Sequence, residues 1–402
     1  MTHPQPLLDP AVLAPAPFDA LAEADRLART LELSAAARDR TGGHARTERE
    51  LIRASGLLNL TIPARFGGLE RPWAEFYRTL RRLAQADSAL AHVYAFHHLQ
   101  VVTILLYGRP DQHADLLAST VAQNLFWGNA LNPNDRRTQA IEDGEHFRIQ
   151  GPKSYCSGSV GADRLTFSAW HEPTQSLLIG VVPAFRTGVS VLEDWDAFGQ
   201  RQTDSGTVAF DRVTVYAHEV LVRPGTAPST RATLRPQLAQ LILTNLYVGI
   251  AQGALQQGLH HTRERSRPFF ASGVDRAVDD PYVQQRYGQL RVLLRPAEVL
   301  ADLAAERIDQ ALALGDAITP AERGEVALAV AEAKVVAHKA ALEIASQVFE
   351  LTGPGATATH LGLDRFWRNA RVHTLHDPVD YKLRDLGRHA LTGRHPEPTS
   401  YS

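Results

Sequence analysis

The chain has 402 residues, 44% hydrophobic and 21% charged, which is enough apolar material for more than one core. With 42 Lys+Arg against 44 Asp+Glu, the formal net charge of -2 excludes both the basic excess of a nucleic-acid binder and an acidic interaction tail. The single cysteine, Cys156, excludes a disulfide framework and Cys-rich zinc sites; the absence of a signal-peptide pattern or a run of roughly 20 apolar residues predicts a cytoplasmic protein with no membrane partner.

In chain order, four prolines in residues 1–15 predict a loose arm. From Phe18 to about Ala122 the apolar spacing is helical, as in Leu21, Leu27, Leu31 and Leu33, with a stop at Thr41-Gly42-Gly43. Near Asn124 the character changes to short β-rich runs divided by Gly, Pro and Asp turns: NLFWGNAL, EHFRIQGPKSYCSG, RLTFSAW, SLLIGVVPA, GVSVLE and GTVAFDRVTVY. A Pro-, Ser- and Thr-rich linker is expected from Pro224 to Pro236. Long helical segments follow at 238–267, 282–314 and 320–351, the last stopped by Gly353-Pro354-Gly355. The predicted organisation is a helical domain at 1–122, a β domain at 123–230 and a bundle at 231–402. No GxGxxG, GxxxxGK[ST], HExxH or GxSxG motif is present, so a cofactor must be held without a short universal signature.

Four stretches carry a family resemblance: GPKSYCSGSVGAD (151–163), DWDAFGQRQTDSGTVAFDRVTV (194–215), RERSRPFF (263–270) and RFWRNARVHTLHDPVDYK (365–382). Together with the α–β–α order they resemble the acyl-CoA dehydrogenase superfamily. RQTDSG, DRFWRN and HTLHDPV resemble its dibenzothiophene and dimethylsulfone monooxygenase branch. The resemblance covers roughly residues 20–395. It implies an α+β fold with an N-terminal helical domain, a central β-barrel or sandwich and a C-terminal four-helix bundle. It also implies a reduced-flavin-dependent monooxygenase that works through a C4a-hydroperoxyflavin on a small sulfur- or nitrogen-containing substrate. The flavin would be FMN supplied by a separate reductase, with FAD as the alternative, and the chain would form a homotetramer built as a dimer of dimers.

The same resemblance implies the site. Ser157 matches the position whose hydroxyl reaches the flavin N5 edge, with Ser205 of RQTDSG beside it in the cofactor site. Asn129 and Leu131 match the strand end that cradles the pyrimidine. Arg265 matches a bundle arginine that reaches a flavin phosphate in a neighbouring subunit. His92 matches a pocket-facing helix histidine, and Phe96, four residues on, shares its face where dibenzothiophene enzymes carry tyrosine. His373 and His376 of HTLHDP, three apart and on one side if helical, suit proton transfer near neutral pH. Trp195 and Trp367 are candidate pocket walls; His97 and His98 are expected to point elsewhere on the helix and be ordinary, and Cys156 to be a buried small hydrophobe. Three alternatives stay open: an FAD acyl-CoA dehydrogenase with Asp377 as base, with the face of Glu350 undecided; a metal protein using His373, His376 and Asp377; and a flavin-free scaffold.

Overall fold

A computed structural model describes residues 18–402; the proline-rich arm expected at residues 1–15 lies outside the described residues. The helical N-terminal part comprises α1 (Ala20–Thr41), α2 (Arg46–Ala54), α3 (Trp73–Ala86), α4 (Ser88–Tyr107) and α5 (Pro110–Ala122). α1 is capped by Asp19, whose side chain accepts from Ala22 N, and stops at Gly42 with φ 68. α4 is different in kind. Nearly every residue of it is buried, so it has no solvent face, and Asp87 caps it by accepting from the Ala89 and Leu90 amides.

The middle part is β1 (Trp127–Ala130), β2 (Gln139–Asp143), β3 (His146–Lys153), β4 (Arg164–His171), β5 (Ser176–Pro183), β6 (Val189–Val191), β7 (Val208–Val215) and β8 (Val220–Val222). Among the described residues these make one mixed sheet in the order β6-β7-β3-β2-β4-β5-β8, with β1 parallel to β4. Ala130, Ile149, Phe167, Leu178, Val213 and Val220 share one core, which requires the sheet to curl on itself. β2 and β8 were not among the expected strands. β2 is largely exposed and polar, and β8 has only three residues, so neither carries an alternating apolar signal.

The helical C-terminal part is α6 (Leu234–Glu264), α7 (Pro281–Ala313), α8 (Pro320–Thr352), α9 (Asp364–Thr374) and α10 (Val379–Thr392). The expected linker is shorter than Pro236, because that proline sits in the first turn of α6, where no intrahelical N–H is needed. A Thr319/Glu322 capping box opens α8 and Gly353, φ 71, closes it. Two helices, α4 and α6, are after all long and apolar enough to cross a membrane by composition. Both are core helices: 94% and 89% of their most apolar windows are buried in the protein itself. α4 places Leu90 and Tyr94 in the core it shares with α6, α7 and α8, and Val101 and Ile104 against Trp127, Val181 and Leu221 of the sheet. It is the seam between sheet and bundle, and the candidate site lies along it.

Candidate functional site

The N-terminal half of α4 carries His92, 5% exposed, and neither of its ring nitrogens has a hydrogen-bond partner in the protein. Phe96 stacks on it at 3.9 Å, and the His373 ring of α9 stands 4.8 Å away. Burial pushes the His92 imidazole well below its ordinary value and that of His373 to about 3, so both are neutral. An unsatisfied buried polar group costs about 1–3 kcal/mol, so His92 is held at the expense of stability. His97 and His98 are also buried and neutral, yet fully engaged. His97 bonds the Leu58 carbonyl and accepts from Trp127 N; His98 bonds Thr61 and the Leu57 carbonyl. Those two are structural, as expected.

The turn after β3 faces α4. Gly158, φ 66, supplies a left-handed residue that packs beside Val93, and Gly128 in β1 leaves room for the Gly158 carbonyl. Asn129 N donates to the Ser157 carbonyl at 2.9 Å, tying the end of β1 to this turn, and the Asn129 side chain accepts from Leu131 N at 3.3 Å. The turn is sewn to residues 203–206 by Cys156 N to Gly206 O and Gly158 N to Thr203 O. Ser157 and Ser205 hydroxyls meet at 2.8 Å. Ser157, Ser205, Asn129 and Leu131 therefore form one buried group. Cys156 is buried with its thiol pushed up to about 12, which makes it inert.

Gln200 joins the two halves, and the sequence reading missed it. Its backbone is left-handed at φ 53, and its N–H donates to Asn369 Oδ1 at 2.6 Å. Its side-chain amide reaches Ser88 Oγ at 3.1 Å and His373 Nδ1 at 3.4 Å. Trp195 touches this loop through its indole N–H, which donates to the Gln200 carbonyl at 2.8 Å. Gly199 packs so closely on the Arg368 carbonyl that a Cβ would stand 2.2 Å from it. Trp367 is exposed and stacks on Phe198.

His373 and His376 do not share a helical face. α9 ends at Thr374, the residue whose carbonyl the ring of Pro378 would meet if the helix ran on. His376 sits in the turn beyond, half-exposed, with Nδ1 2.9 Å from Asp377 Oδ1. Asp377 is turned inward onto the buried Lys334 ammonium of α8, with Gln240 of α6 alongside. These partners hold its carboxyl below the ordinary range despite its burial. Tyr401 stands edge-on to His376 at 5.4 Å and bonds Asn134 at 2.9 Å, another contact the sequence reading missed. Glu350 is exposed and pairs with Arg286 at 3.7 Å. Arg265, just past α6, is exposed. Among the described residues, the His/Cys/Asp/Glu group whose ligand atoms converge within 4.8 Å is Glu325, His389 and His395 and not His373, His376 and Asp377.

The buried histidines make acid stability a direct check. Their folded pKa values lie below the unfolded value of about 6.5, so the unfolded chain binds protons first as the pH falls. Stability is complete above about 6.5 and is lost towards about 3, where His97 and His373 titrate in the folded state. Urea unfolding should show up to about 1.4 kcal/mol lost per pH unit per buried histidine. A flat profile between pH 7 and 5 would contradict neutral imidazoles in the core.

Comparison with known proteins supplies the family. Residues 22–124 match the acyl-CoA dehydrogenase N-terminal domain and residues 241–381 match the acyl-CoA dehydrogenase C-terminal domain. A probable FMNH2-dependent monooxygenase of Pseudomonas putida is 43% identical over 96% of this chain and 98% of its own. The methanesulfinate monooxygenase structure from Pseudomonas fluorescens superposes with a TM-score of 0.94 at 44% identity, covering 96% of this chain and 100% of that one. The dibenzothiophene monooxygenase of Paenibacillus sp. A11-2, in complex with FMN and indole, gives 0.91 at 38% identity, with 95% and 100% coverage.

Proposed function

The chain belongs to the acyl-CoA dehydrogenase family, and from that premise we propose that it works as a reduced-flavin-dependent monooxygenase rather than as a dehydrogenase. It inserts one oxygen atom of O2 into a small sulfur- or nitrogen-containing substrate, and its flavin is FMN. The observation that carries this reading is that His92 and His373, both buried and neutral, stand 4.8 Å apart with no carboxylate of the described residues bearing on either ring. A dehydrogenase needs a carboxylate base, yet Asp377 is bound to Lys334 and His376, and Glu350 is paired on the surface.

The residues fit a bound flavin. Ser157, Ser205, Asn129 and Leu131 would hold its reactive edge and pyrimidine, and the two unpartnered His92 nitrogens offer hydrogen bonds to what binds there. Exposed Arg265 suits a phosphate belonging to a neighbouring subunit in a dimer of dimers. A separate reductase would deliver the reduced flavin in the cytoplasm, and the three domains would divide near residues 122 and 230. When bound, reduced FMN supplies the two electrons that activate O2, one atom of which enters the product while the other leaves as water. His92 holds a proton position inside the pocket, and burial around it excludes water. His376, whose Nδ1–H donates to Asp377, presents the Nε2 lone pair as the site that takes up a proton and returns it. Phe96 and His373 wall the substrate pocket, and Trp195 supports it through the Gln200 carbonyl.

Oxygen uptake and product formation with reduced FMN should be measured across methanesulfinate, dibenzothiophene and indole. Acyl-CoA oxidation with an artificial electron acceptor, and no oxygenated product, would overturn the reading. His376→Gln should move turnover from product towards hydrogen peroxide by at least about tenfold, with the rate of flavin oxidation little changed. Coupled turnover in that variant would remove the role given to His376.

A further inference from the structure

Residues 200–205 contain a chain of hydroxyl groups whose direction is forced. The Gln200 carbonyl can only accept, and it takes the Trp195 indole N–H at 2.8 Å and the Thr203 hydroxyl at 3.0 Å. With its single proton committed there, Thr203 Oγ1 accepts from Ser205 Oγ at 2.8 Å. Ser205 has then used its own proton, so across the 2.8 Å contact with Ser157 the donor is Ser157. Only lone pairs remain on the Ser157 oxygen, and a further partner can bond to it only by donating. The anchor of the chain is rigid: Gln200 is held by Asn369, by Trp195 and by the close contact of Gly199 with α9. The left-handed backbone at both Gln200 (φ 53) and Asp204 (φ 48) is the strain that this arrangement carries.

We infer that Gln200, Thr203, Ser205 and Ser157 form a one-way hydroxyl relay that selects reduced over oxidised flavin. The inference rests on the reading of Ser157 as the partner of the flavin N5 edge. Reduced flavin carries a hydrogen on N5 and donates to Ser157. Oxidised flavin carries a lone pair there and meets another lone pair. The relay therefore favours the form a reductase delivers and weakens hold on the spent form, with no movement of the protein. Thr203, Ser205 and Gln200 act through Ser157 and are positioning residues.

The test is the ratio of FMN to FMNH2 dissociation constants, measured under anaerobic conditions for the wild type, Ser157→Ala, Ser205→Ala and Thr203→Ser. The wild type should bind FMNH2 more tightly. Ser205→Ala frees the Ser157 proton to serve oxidised N5, so the preference should fall about tenfold, equivalent to about 30 mV in the midpoint potential of bound FMN. Thr203→Ser keeps the hydroxyl and should keep the wild-type ratio. Equal affinities in the wild type, or an unchanged ratio in Ser205→Ala when Ser157→Ala changes it, overturn the relay. A wild-type preference that survives in both Ser157→Ala and Ser205→Ala overturns instead the placement of Ser157 at N5. Unfolding midpoints of the variants, compared with the wild type, separate these results from misfolding.

Discussion

His92→Phe is expected to lower product formation by at least about 10²-fold while leaving the thermal midpoint unchanged or higher. The two effects share one cause. His92 is buried with both ring nitrogens unpartnered, so the folded protein bears the desolvation of a polar ring for no internal hydrogen bond. Phenylalanine fills the same space against Phe96, which already stacks at 3.9 Å, and removes that cost. A residue retained against stability is retained for what it binds. Replacing His97 or His98 should do the reverse, lowering stability because each holds a backbone carbonyl that would be left buried and unpaired. Calorimetry with product and peroxide assays on the three variants separates the roles. Coupled turnover in His92→Phe would remove His92 from the chemistry, and a large drop in its midpoint would make it structural.

This contrast also shows where sequence was informative. Three histidines lie on one helix at positions 92, 97 and 98, and helical spacing alone put His92 and Phe96 on a common face. What separates His92 from its neighbours is the carbonyls of Leu57 and Leu58, brought to α4 by a loop more than thirty residues earlier. The long apolar periods of α6, α7 and α8 and the stop residues Gly42 and Gly353 were legible, because each is a local signal. Gln200, Asn369 and Ser88 were not. Each is a common polar residue whose importance lies in meeting the other two from three separate elements. The helical pairing of His373 with His376 failed for a local reason that was present in the sequence, namely Pro378, which cannot continue the helix past Thr374.

Lys334→Met should cost about 3–5 kcal/mol of stability. Lys334 is 1% exposed in the middle of α8, and its ammonium meets Asp377, itself 8% exposed, and Gln240. Burial lowers the lysine to about 8 even beside a carboxylate, which shows how dry its surroundings are. Methionine keeps the stem and removes the charge, so the Asp377 carboxylate is left buried with only His376 and Gln240. Adding Asp377→Asn to Lys334→Met removes the stranded charge and should restore most of the lost stability. It should not restore coupling, because a neutral amide orients and polarises the imidazole far less than a carboxylate does. Urea midpoints should therefore recover in the double variant while the ratio of product to peroxide stays low. Loss of less than 1 kcal/mol in Lys334→Met would mean that the ion pair is open to water. Recovery of coupling along with stability would mean that Asp377 serves the fold alone and that His376 needs no anion to do its work.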